Sequence, residues 1–85
     1  MKKVTIYTTP FCPYCLRAKR LLAHKQVPFE EVDVGSDGLA RQTLCQRAGG
    51  RSTVPQIWIG EVHIGGSDEL YALERQGELD ALLAD

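Results

Sequence analysis

The chain predicts an α/β fold in the order βαβαββα with a short C-terminal helix, a four-stranded mixed sheet flanked by helices, and three observations carry that expectation. VTIYT (4–8) and FEEVDV (29–34) have strand character and lie roughly 20 residues apart, which suits a right-handed crossover through one helix and a parallel pair. IWIGEVHIGG (57–66) is two apolar runs split by Gly60 and Glu61, a two-residue antiparallel hairpin with glycine at the position a type II′ turn requires. Helix-forming stretches occupy the remaining intervals.

Each element has a local reason. The first strand is β-branched and aromatic and breaks at Pro10. A helix follows, with Cys12 at or near its N-cap and Pro13 in the first position, where a missing N–H costs nothing; it runs to about Lys25 and stops at Val27-Pro28. Ser36 or Asp37 caps a second helix over 39–48, closed by Gly49 and Gly50. SDELYALERQ (67–76) makes a third helix, and after Gly77 the stretch ELDALLA makes a short last one with Leu79, Leu82 and Leu83 on one side. In the hairpin, Ile57, Trp58, Ile59, Val62 and Ile64 are expected in the core, and His63, like His24, is expected to face solvent.

Composition narrows the function classes. The 85 residues form one domain spanning 1–85, and a chain this size buries only about 60 to 65% of its unfolded surface. A net charge of −1 with 25% charged residues gives neither a nucleic-acid footprint nor a disordered composition. Met-Lys-Lys runs straight into VTIYT without a signal-like apolar segment, and nothing approaches the ~18 apolar residues of a membrane span, so a cytoplasmic protein is expected. No repeat, linker or low-complexity segment interrupts the chain, which reads as complete.

The chemistry-bearing stretch is TTPFCPYCLRAKR (8–20). Cys15, Ala18, Leu21 and Leu22 share one helical face, so Cys15 belongs to the buried side while Cys12 stays at the exposed tip. A helix N-terminus carries about half a positive charge and free N–H groups, and CxxC cysteines placed there fall to pKa values of about 3.5 to 7.5, so Cys12 is expected as a thiolate. Arg17, Lys19 and Arg20 add positive potential. Full ionisation gains about 30-fold in thiolate, but falling nucleophilicity nearly cancels it; the larger benefit is that Cys12 leaves well from a disulfide. The plainer alternatives are an inert buried pair and half of a zinc site. Zinc would need Cys45, His24 or His63, which follow no ligand spacing. Cys45 is expected to be a half-buried structural residue.

TPFCPYC, TVPQIWI and HIGGSDEL, in this order over essentially the whole chain, resemble the glutaredoxins, the glutathione-dependent branch of the thioredoxin-like fold, and within them the short bacterial dithiol members. The resemblance implies catalysis by Cys12 and Cys15, a cis Val54-Pro55 bond facing them, and pairing of the Val54 backbone with the cysteinyl unit of glutathione. It also implies a groove in which Tyr14, Thr53 and Pro55 take part and Arg51 meets the glycyl carboxylate. Gly66, Ser67 and Asp68 would hold the γ-glutamyl end, because glycines admit a close ligand and a helix start binds anions. The chain departs from many relatives in having Thr9 and Pro10 where they carry a basic residue, so the Cys12 thiolate here leans on helix N–H groups.

The function so implied is a glutathione-dependent thiol-disulfide oxidoreductase acting on protein–glutathione mixed disulfides and protein disulfides. Glutathione is its co-substrate, with no bound cofactor or metal, and it works as a monomer with no nucleic-acid or membrane partner. Its protein partners would be glutathionylated or disulfide-containing proteins, with ribonucleotide reductase a candidate client. An iron–sulfur carrier and a zinc-binding module remain open alternatives, although Pro13 and a second cysteine resemble the members that usually hold no cluster.

Overall fold

The computed structural model describes residues 1–51 and 53–84. Its elements are β1 (Val4–Thr8), α1 (Pro13–His24), β2 (Glu30–Asp33), α2 (Gly38–Arg47), β3 (Gln56–Ile59), β4 (Val62–Gly65), α3 (Ser67–Arg75) and α4 (Leu79–Leu83), in the expected order. One four-stranded mixed sheet runs β2-β1-β3-β4, with β1 parallel to β2 and antiparallel to β3.

Successive strand residues point to opposite faces, and both faces are covered. Val4, Ile6, Ile57 and Ile59 pack on Ala18, Leu21 and Leu22 of α1, Leu70 of α3, and Leu79 and Leu83 of α4. The alternate residues Tyr7 and Trp58 pack on Val34, Leu44 and Ala48 against α2. All four residues of β3 are therefore buried, including Gln56.

Two expectations about the hairpin need correction. Val62 is 49% exposed rather than in the core, because it stands beside the turn at the open end of an edge strand. His63 does not simply face solvent. It lies opposite Trp58 in the ladder and so points to the face that α2 covers. The turn itself is as expected: Ile59 pairs with Val62, and of the two loop residues only Gly60 has positive φ, 59°.

Helix ends follow local chemistry. Asp37 caps α2 by accepting from the N–H groups of Leu39 and Ala40, at 3.0 and 3.1 Å. Gly49 leaves that helix at φ 66°, and Gly50 N–H bonds Cys45 O at 2.8 Å. The end of α1 has the same hydrogen-bond scheme without glycine: Gln26 sits at φ 60°, its N–H bonds Ala23 O, and Val27 N–H bonds Leu22 O at 2.9 Å. A side chain at positive φ costs free energy that glycine avoids. Replacing Gln26→Gly should raise stability by about 0.5–1 kcal/mol, or roughly 2–8 °C in Tm, measured by thermal and urea unfolding.

Candidate active site

Cys12 adopts extended backbone angles as the N-cap of α1, and its sulfur accepts a hydrogen bond from the Cys15 N–H at 3.2 Å. Pro13 fills the first helical position, as its fixed φ and missing donor allow. Phe11, immediately before, stands at φ 61° with its ring fully exposed. Val54-Pro55 is cis, and the Val54 carbonyl oxygen lies 3.9 Å from Cys12 Sγ.

The two cysteines are physically unlike. Cys15 is 2% exposed, on the same face as Ala18, Leu21 and Leu22. Burial first, then its hydrogen bond to Cys12, pushes its pKa up to about 12; the Thr9 N–H and the charge of Lys19 pull the other way. Of the three basic residues expected to add potential, Lys19 lines the cavity beside both cysteines, whereas Arg17 lies over the Tyr71 ring at 5.0 Å.

Two depressions flank this corner. One of about 420 Å³ is lined by Cys12 and Cys15 with Pro10, Phe11, Leu16 and Lys19. Glu31 closes it, accepting from the Thr8 hydroxyl at 2.7 Å and pairing with Lys19 at 3.0 Å. The other, about 170 Å³, brings together every expected groove residue: Tyr14, Arg51, Thr53, Val54, Pro55, Gly66, Ser67 and Asp68. The groove also includes Glu69, which sequence reasoning missed.

Glu69 changes how the GGSD stretch is read. Gly66 is the N-cap of α3, so Ser67 and Asp68 lie inside the first turn, and Glu69 reaches back to the Gly66 N–H at 2.9 Å. That hydrogen bond foremost, then Glu69's own N–H and Arg51 at 3.4 Å, holds the Glu69 carboxyl below the usual range. Arg51 thus pairs with Glu69 within the groove. Any side chain at Gly65 (φ 112°) would collide with the Glu69 carboxylate, and a Cβ on Gly66 would come 3.4 Å from the Pro55 carbonyl. The Ser67 hydroxyl is buried and has no hydrogen-bond partner among the described residues.

Other candidates lie elsewhere. Cys45 is half-buried on α2, as expected, and His24 is exposed. Among the described residues no three His, Cys, Asp or Glu side chains converge to hold a metal ion, so Cys45, His24 and His63 do not complete a set with the CPYC cysteines. Among the described residues no helix is long and apolar enough to cross a membrane.

Comparison with known proteins decides the family, since the glutaredoxin family model matches residues 4–64. The chain belongs to the glutaredoxin family. It is 56% identical over 84 residues to a glutaredoxin of Pseudomonas aeruginosa, covering 99% of both chains. It is 51% identical to glutaredoxin 3 of Escherichia coli K12, covering 98% of this chain and 99% of that one. The solution structure of a Brucella melitensis glutaredoxin superposes with a TM-score of 0.85 at 54% identity, over 98% of this chain and 89% of that one. A buckwheat glutaredoxin–glutathione complex matches at TM-score 0.84 and 32% identity, over 94% and 74%. The fold is therefore the thioredoxin-like one, and the chain is a thiol-disulfide oxidoreductase.

Two outcomes follow from the geometry. Iodoacetamide at about pH 8 should alkylate Cys12 faster than Cys15 by more than ~100-fold, because a thiol near pKa 12 is almost wholly protonated there; peptide mass spectrometry reads the ratio. The Thr8 hydroxyl foremost, then Lys19, holds the Glu31 carboxyl below its ordinary value. That stabilisation is present above the unfolded value of about 4.3 and is lost as pH falls through the lower folded value. Thr8→Ala should thus lose less stability than the parent between about pH 5 and about pH 3, by denaturant titration at each pH.

Proposed function

We propose that this glutaredoxin is a glutathione-disulfide oxidoreductase that removes glutathione from mixed disulfides through Cys12 and reduces protein disulfides through Cys12 and Cys15. The observation that carries the glutathione reading is the Ser67 hydroxyl, buried and unpartnered in a groove that also offers the first turn of α3 and Arg51. An unpaired buried hydroxyl costs about 1–3 kcal/mol, which a ligand acceptor would relieve. Glutaredoxins use glutathione, and the buckwheat relative is known in complex with it. The γ-glutamyl carboxylate would take Ser67 and the helix N–H groups, with Asp68 near the amino group. The cysteinyl backbone would pair with Val54 beside Pro55, Tyr14 and Thr53 would flank it, and Arg51 would exchange Glu69 for the glycyl carboxylate.

The sulfur of Cys12 attacks the glutathione sulfur of the mixed disulfide, the S–S bond breaks, and the protein leaves as a thiolate that takes up a proton. A second glutathione thiolate then attacks the glutathione sulfur on Cys12, forming glutathione disulfide and freeing Cys12. In the dithiol route Cys12 attacks a protein disulfide, Cys15 gives up its proton and attacks the Cys12 sulfur, and two glutathiones reduce the resulting disulfide. Its high pKa makes Cys15 a poor nucleophile until that moment, so the mixed disulfide persists long enough to meet glutathione. We place this work in the cytoplasm, where glutathione is kept reduced.

The test is a glutathione-coupled assay on a glutathionylated peptide and on a protein disulfide. Cys12→Ser should abolish turnover of both, whereas Cys15→Ser should keep deglutathionylation and lose dithiol reduction. An active Cys12→Ser protein would overturn the assignment.

A further inference from the structure

Behind the groove runs a chain of polar side chains that the reaction scheme leaves unused. Gln56 is fully buried, so both ends of its amide need partners. Its Oε1 lies 2.6 Å from His63 Nε2, and its Nε2 donates to Thr53 Oγ1 at 3.1 Å. Thr53 lines the groove. His63 is clamped face to face with Trp58, ring centres 4.4 Å apart at 18°.

Such a chain has two self-consistent polarities. In one, His63 Nε2–H donates to Gln56 Oε1, Gln56 donates to Thr53, and the Thr53 proton is free to point into the groove. In the other, the amide is reversed, Gln56 donates to His63, and the Thr53 hydroxyl spends its proton inward. A glutathione carboxylate or carbonyl can accept only from the first. We infer that His63 and Gln56 are positioning residues that hold the Thr53 hydroxyl outward as a donor to bound glutathione, thereby helping to set glutathione specificity.

The surroundings fit that polarity. Burial first, then the Arg51 and Arg47 guanidinium groups, lowers the His63 pKa against the opposing Glu69 carboxylate, which favours a neutral ring. The Nε2–H tautomer and the imidazolium both donate to Gln56, so the relay survives acidification. A buried glutamine opening an otherwise apolar QIWI strand is the sequence trace of this device.

The inference rests on the glutathione reading, and its test separates the two. S-methylglutathione, which can neither form nor exchange a disulfide, is titrated into the reduced full chain and followed by NMR. Thr53→Val should weaken binding about tenfold, as expected for loss of a donor to a charged acceptor. His63→Ala should weaken it about as much, His63→Gln should restore part of the loss, and His63→Ala added to Thr53→Val should cost nothing further. Long-range ¹H–¹⁵N spectra of the unmodified protein should show His63 as the Nε2–H tautomer. If the parent binds and His63→Ala binds equally, if the two losses multiply, or if the ring carries its proton on Nδ1, the relay is wrong. If the parent fails to bind at all, the glutathione reading falls and the relay with it.

Discussion

Everything at the site depends on β1 and β3 being antiparallel neighbours at the centre of the sheet. Their register sets Tyr7 against Gln56, so the C-terminal end of one strand adjoins the N-terminal start of the other. Cys12 lies four residues beyond Thr8 and Val54 two residues before Gln56, and the two meet at 3.9 Å. The pairing of Gly65 with Ile57 then returns β4 to the same end, which puts Gly66, Ser67 and Asp68 in one groove with Tyr14, Val54 and Pro55. Three stretches separated by about 40 and about 10 residues become one site because one buried strand orders them. The apolar burial that fixes β3 on both faces also fixes the chemistry.

On that frame one helix start divides labour between two thiols. Cys12 stands outside the helix as its cap, with the Cys15 N–H on its sulfur, an arrangement suited to negative charge. Three residues on, about one helical turn, the same helix turns Cys15 inward, where desolvation disfavours charge. No cation near Thr9 or Pro10 is needed for this asymmetry, because backbone geometry and burial produce it. Lys19, held by Glu31 in the cavity beside both sulfurs, moderates it.

What could be read from sequence was whatever is local. The cap at Cys12, Pro13 after it, the Asp37 cap, the Gly49 exit and the Gly60 turn each need only a few neighbouring residues, and each is found. Leu79 and Leu83 are buried and Leu82 half-buried, as helical spacing indicated. The misses came from long-range pairing. Residue type alone put Val62 and Ile64 in the core and His63 in water, without the pairing that decides which face each takes and where cover ends. This sheet is covered on both, so the residue opposite Trp58 stacks on it, while Val62 lies where the edge strand runs out of cover. Glu69 was passed over because the stretch was read through Gly66, Ser67 and Asp68 alone. With glycine as the cap, only the N3 carboxylate remains to satisfy the exposed N–H.

Glu69 also ties together two walls of the groove. Without Glu69, the Gly66 N–H and the Arg51 guanidinium would share no acceptor. The Glu69 carboxylate sits between them and serves both, so the loop before α3 and the segment before Pro55 are held together at 2.9 and 3.4 Å. The Arg51 contact is long and half-exposed, and pairs of that kind contribute at most about 1 kcal/mol. Of the two contacts the Arg51 pair is therefore the cheaper to break, whereas the Gly66 bond caps α3. The groove is thus held in shape by its own acidic residue, chiefly through the bond that caps α3.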